Sequence, residues 1–352
     1  MSETLTTADA IAKLRTKVDS VKLPPGLTDK LQELFSQLEI NSRSEETFWD
    51  YYQKTSRYID TITAIPWFNE STDILDINFA REKLDEEHFG LDSIKERMLE
   101  YLSALTLQKH RNMDKKLRAP IILFVGLVGT GKTTMAKSIS KMMGRQLIRI
   151  PFGGLGDPLY LRGQSRQYPN AEPGQIIKGL IRTGVRNPVI LLDEIDRVAD
   201  EALNTIMGVL VELLDPEQND RFEDHYTEYP FDLSGAIFVA TCNNTTRIAT
   251  AVMDRLEVIQ MPSYTDDEKI GIAKLYLLPR AMADTGLDKG ELEIADDIWL
   301  NIVRPLGFDS GVRTLKRNIE GLCRKVAKII VEGKATSIRV DSSNIKQFLP
   351  QW

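Results

Sequence analysis

The run Gly126-Leu-Val-Gly129-Thr130-Gly131-Lys132-Thr133 fits GxxxxGK[ST], with the apolar stretch IILFV directly before it and a helical pattern after it. Glycines at this spacing let successive backbone N–H groups turn inward on an anion, and the start of a helix adds positive partial charge. The chemistry implied is nucleotide phosphate binding over Gly126 to Thr134. Lys132 would reach the outer phosphates, and the Thr133 hydroxyl would ligate Mg2+.

About sixty residues on, VILLDEID places Asp193 and Glu194 at the end of an apolar strand, where their carboxylates project from the same sheet edge as the loop. Asp193 can hold the magnesium through water. Glu194 can then orient and deprotonate an attacking water, the step that separates a hydrolase from a nucleotide switch. A further strand, GAIFVATCNN, ends in Asn243, a neutral hydrogen-bonding group suited to positioning that water. Arg255 in MDRLEVI and Arg313 in SGVRTL are cations that a transition state with spread negative charge could use. Read on their own, both are equally ordinary surface arginines.

Elements must hold these groups together. Five short apolar runs, starting near Ile121, Gln146, Pro188, Gly235 and Leu256, alternate with helical stretches. Most are rich in branched residues with little alternation, as strands buried on both faces require, so a parallel sheet flanked by helices is expected. Before it, three amphipathic helices are expected: one through Ile11, Leu14 and Val18, one from Thr28, and one from Ser44 to Pro66. Their apolar stripes call for burial against one another or against a partner chain. An acidic turn at Asp85–Leu91 leads to a helix with Ile94, Met98, Leu102 and Leu105. Beyond Pro262 helices return, including one over Gly311–Val331. The expected units are therefore 1–75, a helical segment; 76–262, an αβ nucleotide-binding domain; and 263–352, a small helical domain.

Composition narrows the class. Of 352 residues, 42% are hydrophobic and 27% charged, as in a globular chain. No apolar run approaches the ~18 residues of a membrane span, and the first twenty residues read as neither a secretory signal nor a transit peptide. A cytoplasmic location is the expectation. The net charge of −6 argues against a surface built mainly for nucleic acid, and the basic run Lys109–Arg118 reads as a solvated linker. Cys242 and Cys323 have no metal-ligand spacing and read as reduced core thiols.

These residues in this order resemble the AAA+ module of the ATP-dependent Lon protease family. Similar stretches cover nearly the whole chain: DEEHFGLDSIKERMLEYL, FVGLVGTGKT, RNPVILLDEID, LLDPEQNDRFEDHY, PFDLS, DRLEVI, YLLPR and SGVRTLKRNIE. The resemblance implies an α/β P-loop NTPase (AAA+) fold with a five-stranded parallel sheet, a C-terminal helical lid and an N-terminal helical segment. It implies Mg2+ and ATP bound between neighbours in a homo-oligomeric, hexameric ring. It further implies that Arg255 is the finger reaching a neighbour's γ-phosphate, that Arg313 and Asn243 are the two sensor residues, and that His88 and Phe89 lie beside the adenine. Family members draw unfolded polypeptide through the central pore with an aromatic loop, here Arg162–Gly174 with Tyr168 at the aromatic position.

The sequence also departs from that pattern. Pro169 and Glu172 stand where apolar residues are usual, and Ala199–Gly208 lacks the second pore loop's aromatic. The chain stops at FLPQW, about where the family's peptidase begins, without a serine-lysine segment, and the family's large amino-terminal domain does not occur. It is expected to be either an excised motor or a shortened relative that supplies force to a separate peptidase. A nucleotide-gated regulatory module that threads nothing, and a nucleic-acid motor, are the rival readings.

Overall fold

The structure, a computed structural model, describes residues 6–111, 120–304 and 311–349. Most of the basic run, Ser310 and the last three residues of FLPQW lie outside that range. Three helices open the described chain: α1 (Thr7–Asp19), α2 (Pro25–Asn41) and α3 (Glu45–Ala64). Thr6 caps α1 through a reciprocal capping box with Asp9, and Pro25 occupies the first turn of α2, where its missing N–H costs nothing. Their stripes bury Leu14, Leu31, Phe35, Phe48 and Ile59 against one another and against the body of the protein, in one continuous core. Tyr58 makes the join: fully buried, its hydroxyl donates to the Thr227 carbonyl at 3.0 Å, and the Arg166 guanidinium lies 4.0 Å over its ring.

Helices α4 (Ile77–Glu87) and α5 (Asp92–His110) lead into the sheet. The acidic stretch Asp85–Leu91 is only partly the expected turn. Asp76 caps α4 by accepting from the backbone of Asn78 and Phe79, and Ala80 and Leu84 bury one face, so Asp85–Glu87 stay helical. The turn itself is confined to His88–Leu91, where Gly90 and Leu91 take the left-handed conformation.

The strands and helices that follow are β1 (Ile121–Val125), α6 (Lys132–Met142), β2 (Leu147–Pro151), α7 (Leu159–Arg162), α8 (Gln175–Thr183), β3 (Val189–Asp193), α9 (Leu203–Leu213), β4 (Phe222–Glu223), β5 (Pro230–Phe231), β6 (Ile237–Cys242), α10 (Thr250–Met253) and β7 (Leu256–Gln260). Five of these strands form a wholly parallel sheet in the order β2-β3-β6-β1-β7. Along β1, Ile121, Leu123 and Val125 face the core shared with the first three helices, and Ile122 and Phe124 face the opposite core under α4, α5 and α6. Burial on both faces explains the unbroken apolar runs.

A third core belongs to α11 (Asp266–Ile272), α12 (Leu278–Thr285), α13 (Trp299–Val303), α14 (Arg313–Val331) and α15 (Ile345–Phe348). A short parallel pair, β8 (Leu292–Ile294) and β9 (Ile338–Val340), joins them. Among the described residues no helix is long and apolar enough to cross a membrane.

Candidate nucleotide site

Val125 ends β1 and the chain turns at once into the loop that precedes α6. Gly126 is required by crowding: a Cβ there would lie 2.7 Å from the Met261 carbonyl oxygen. Gly129 has φ +85°, a conformation side chains resist. Gly131, also at positive φ, stands just before α6. Thr130 is buried, its hydroxyl donating to the Leu127 carbonyl at 2.9 Å, and its own carbonyl accepts from the buried Tyr264 hydroxyl at 3.2 Å. Thr134 is exposed on the first turn of α6.

Lys132 is 7% exposed, and its ammonium donates to the carbonyls of Gly126 (2.6 Å) and Leu127 (2.8 Å) and to Asn243 Oδ1 (3.0 Å). Burial lowers its pKa, against the pull of the nearby Asp196, Glu194 and Asp193 charges. Asn243 Nδ2 is buried with no partner among the described residues, so a donor is left over beside the loop. The backbone N–H groups of Asn243 and Asn244 both donate to Asp196 Oδ2, which fixes the end of β6 to the turn after β3.

The Thr133 hydroxyl donates to Asp193 Oδ1 at 3.0 Å. Asp193 is 2% exposed and has two further partners, Thr241 and Arg149. The Thr241 hydroxyl donates to Oδ1 at 2.6 Å, and the Arg149 guanidinium grips Oδ2 at 2.6 and 2.8 Å. Burial alone would raise the Asp193 carboxyl. The hydrogen bonds from Thr241, Arg149 and Thr133 outweigh it and hold the group below the usual carboxylate range. Thr241 also accepts from the Glu194 backbone N–H at 2.9 Å. Glu194 takes the left-handed conformation (φ 60°) and is half-exposed, with Arg197 3.5 Å from its carboxylate. Neither Thr241 nor Arg149 is flagged by spacing, because each reaches Asp193 from a neighbouring strand.

The helical domain closes over the loop. Val312 N–H donates to the Gly129 carbonyl at 3.1 Å, and Gly311 lies so close that a Cβ on it would meet Val128 O at 2.5 Å. Arg313, exposed at the start of α14, therefore stands beside the loop. His88 is buried: it is 5% exposed and its Nε2 pairs with Ser138 Oγ on α6 at 2.8 Å. Burial depresses its pKa to about 4, the neighbouring Glu87 charge opposing. The Phe89 ring lies against Gly271 of α11.

Like Tyr168, which stands on the loop between α7 and α8 near the first three helices, Arg255 is not brought to this edge. It precedes β7, whose first residue pairs with Ile121 and whose last pairs with Val125. It lies at the end of the sheet opposite the loop, on the order of 20 Å away along the strand.

These residues fit a magnesium–nucleotide pair. The loop offers its glycines and an ammonium to phosphate, a surplus amide donor stands beside it, and a hydroxyl and an ionised carboxylate are already side by side. Among the described residues no three His, Cys, Asp or Glu cluster as a protein-only metal cage. Mg2+ in nucleotide sites needs few protein ligands and takes phosphate oxygens and water.

Residues 122–264 match the model of the ATPase family associated with various cellular activities (AAA), and residues 283–338 match the Lon protease AAA+ ATPase lid domain. The Lon protease of Geobacter metallireducens is 38% identical over 351 residues, 99% of this chain and 41% of that protein. Lon protease 1 of Bacillus subtilis is 40% identical over 340 residues, 96% of this chain and 42% of the relative. The chain belongs to the Lon-type AAA+ ATPases. It spans about two fifths of the length of these relatives. The five-stranded parallel sheet, the P-loop and the lid are thus those of a Lon-type ATP-binding module, as the resemblance implies.

Proposed function

We propose that this Lon-type module is a Mg2+-dependent ATPase motor that unfolds and translocates protein substrates in a homo-oligomeric, hexameric ring. The observation that carries the reading is the constellation at one sheet edge: Thr133 bonded to Asp193, with Glu194 next to it and half-open to solvent. Bound Mg2+ and ATP supply the phosphoanhydride and spread its charge. Lys132 and the loop backbone bind the outer phosphates, and Thr133 and Asp193 hold the metal. The Glu194 carboxylate takes a proton from the attacking water, and Asn243 helps fix that water in place. Arg313 closes the lid on the site. His88 and Phe89, between α4 and α11, are proposed to flank the adenine. The working units are 1–75, 76–262 and 263–352.

Arg255 supports the ring. Its edge of the sheet cannot serve its own loop, so its partner phosphate would be a neighbour's. Tyr168 supports threading: it is 68% exposed, at the tip of a loop closed at its base by Gln164 N–H to Glu172 O at 3.1 Å. Asp224 fixes the same base by accepting from Gly174 N–H at 2.7 Å.

A second reading, a nucleotide-gated regulatory ATPase without threading, draws on Ala199–Gly208. That stretch is a short helical turn running into α9, and it shows Asn204 and Thr205 to solvent where an aromatic is usual. Unfolding of a folded substrate by wild type and Tyr168→Ala, with ATP turnover followed in parallel, separates the two. Loss of unfolding with turnover kept supports the motor; unchanged unfolding removes Tyr168 from it. Wild type that hydrolyses ATP and unfolds nothing favours the regulatory reading.

A further inference from the structure

We propose that Asp215 is the positioning residue for Arg255, setting the guanidinium for a neighbouring copy's nucleotide; this rests on the intersubunit role given to Arg255 above. Asp215 Oδ2 accepts from Arg255 Nη2 at 2.9 Å, while Arg255 Nη1 donates to the Ala251 carbonyl at 2.6 Å. The two bonds occupy two of the five N–H donors of the guanidinium. The side chain is 27% exposed, so it is not sealed inside its own subunit.

Asp215 is itself immobilised. Its Oδ1 accepts from Glu217 N–H at 2.9 Å and its Oδ2 from Gln218 Nε2 at 3.2 Å. Its carbonyl takes the N–H groups of Gln218 and Asn219 at 3.0 and 2.8 Å. The carboxylate thus has a fixed direction before Arg255 meets it, and a planar fork gripped at two points keeps one orientation. An arginine on a partly exposed edge would otherwise sample many rotamers, and a transition-state contact requires it to be in place beforehand. Asp215 opens the DPEQND turn after α9, which explains why an acidic residue at this point of the chain can act on one forty residues further along.

The test uses the full chain and ATP turnover. Asp215→Asn keeps an oxygen for Glu217 N–H and removes the charge at Arg255. It should lower kcat at least about tenfold, with KM for ATP within about twofold. Asp215→Glu, which restores the charge, should recover part of that loss. The decisive readout is mixing with Lys132→Ala, whose own site is disabled but whose Arg255 and Asp215 are intact. A positioning role predicts that the mixture turns over ATP several-fold faster than the sum of its components, as an Arg255→Ala plus Lys132→Ala mixture should. Rescue of Arg255→Ala without rescue of Asp215→Asn overturns the Asp215 assignment and leaves the finger standing. Failure of both overturns the finger role and this inference with it. Wild-type kcat in Asp215→Asn also overturns it. Should Asp215→Asn not fold, Asp215→Ser, which also removes the charge and keeps an acceptor for Glu217 N–H, decides: a lowered kcat rescued in the mixture supports the role, and an unchanged or unrescued kcat refutes it.

Discussion

Lys132 Nζ donates to Asn243 Oδ1 across 3.0 Å, joining two side chains 111 residues apart. The bond ties the first residue of α6 to the residue that follows β6. It also shows why the loop cannot be judged as an isolated motif: the group that aims its lysine comes from another strand.

Glu194→Gln keeps the shape of the site and removes the base. ATP affinity, read by fluorescent-nucleotide titration, should stay within a few-fold of wild type, and turnover should fall by roughly 10²-fold or more. Full hydrolysis by the variant would strip Glu194 of its role.

Gly126→Ala drives a Cβ against the Met261 backbone. Overpacking against main chain costs about 1–3 kcal/mol, so the thermal midpoint and ATP affinity should both drop. Gly208→Ala is the control. It lies within α9 with nothing inside 4 Å of the added carbon, and there alanine should add about 0.5–1 kcal/mol.

His88 gives the fold an acid limit. Its folded-state pKa of about 4 lies below the ordinary 6.5, so between these values the unfolded chain takes a proton that the folded one refuses. Stability contributed by the neutral ring is whole above pH 6.5 and is lost as pH falls toward 4. The loss is on the order of 3 kcal/mol. Urea unfolding of wild type and His88→Gln should show the two curves converging on acidification; a constant gap would refute the assignment.

Tyr58→Phe removes the donor to the Thr227 carbonyl and should cost about 1–2 kcal/mol. Tyr58→Ala also leaves a cavity between α3 and the body, at about 3–5 kcal/mol. Limited proteolysis should then release the first three helices before the sheet unfolds.

Much of this was legible in the chain. The five strands showed as branched apolar runs because each is covered on both faces, and Thr133, Asp193 and Glu194 showed because phosphate and magnesium demand fixed types beside a strand end. Thr241 and Arg149 did not show, since their value depends on which strands become neighbours: β3 lies between β2 and β6, an order that no local pattern encodes. Asp215 was hidden for the same reason. The α4 helix was missed because its acidic end reads as a turn, and only the Asp76 cap and the buried Ala80 and Leu84 reveal it.

Gly129 and Gly311 touch main chain to main chain, with the Val312 N–H to Gly129 carbonyl bond beside them. A contact without side chains leaves nothing to repack. A larger residue at either glycine cannot be accommodated by trimming the other, which has nothing left to trim. The two positions therefore share a single mutational tolerance, and second-site suppressors of a change at Gly129 are to be sought not at Gly311 but among the lid residues that set how closely α14 approaches.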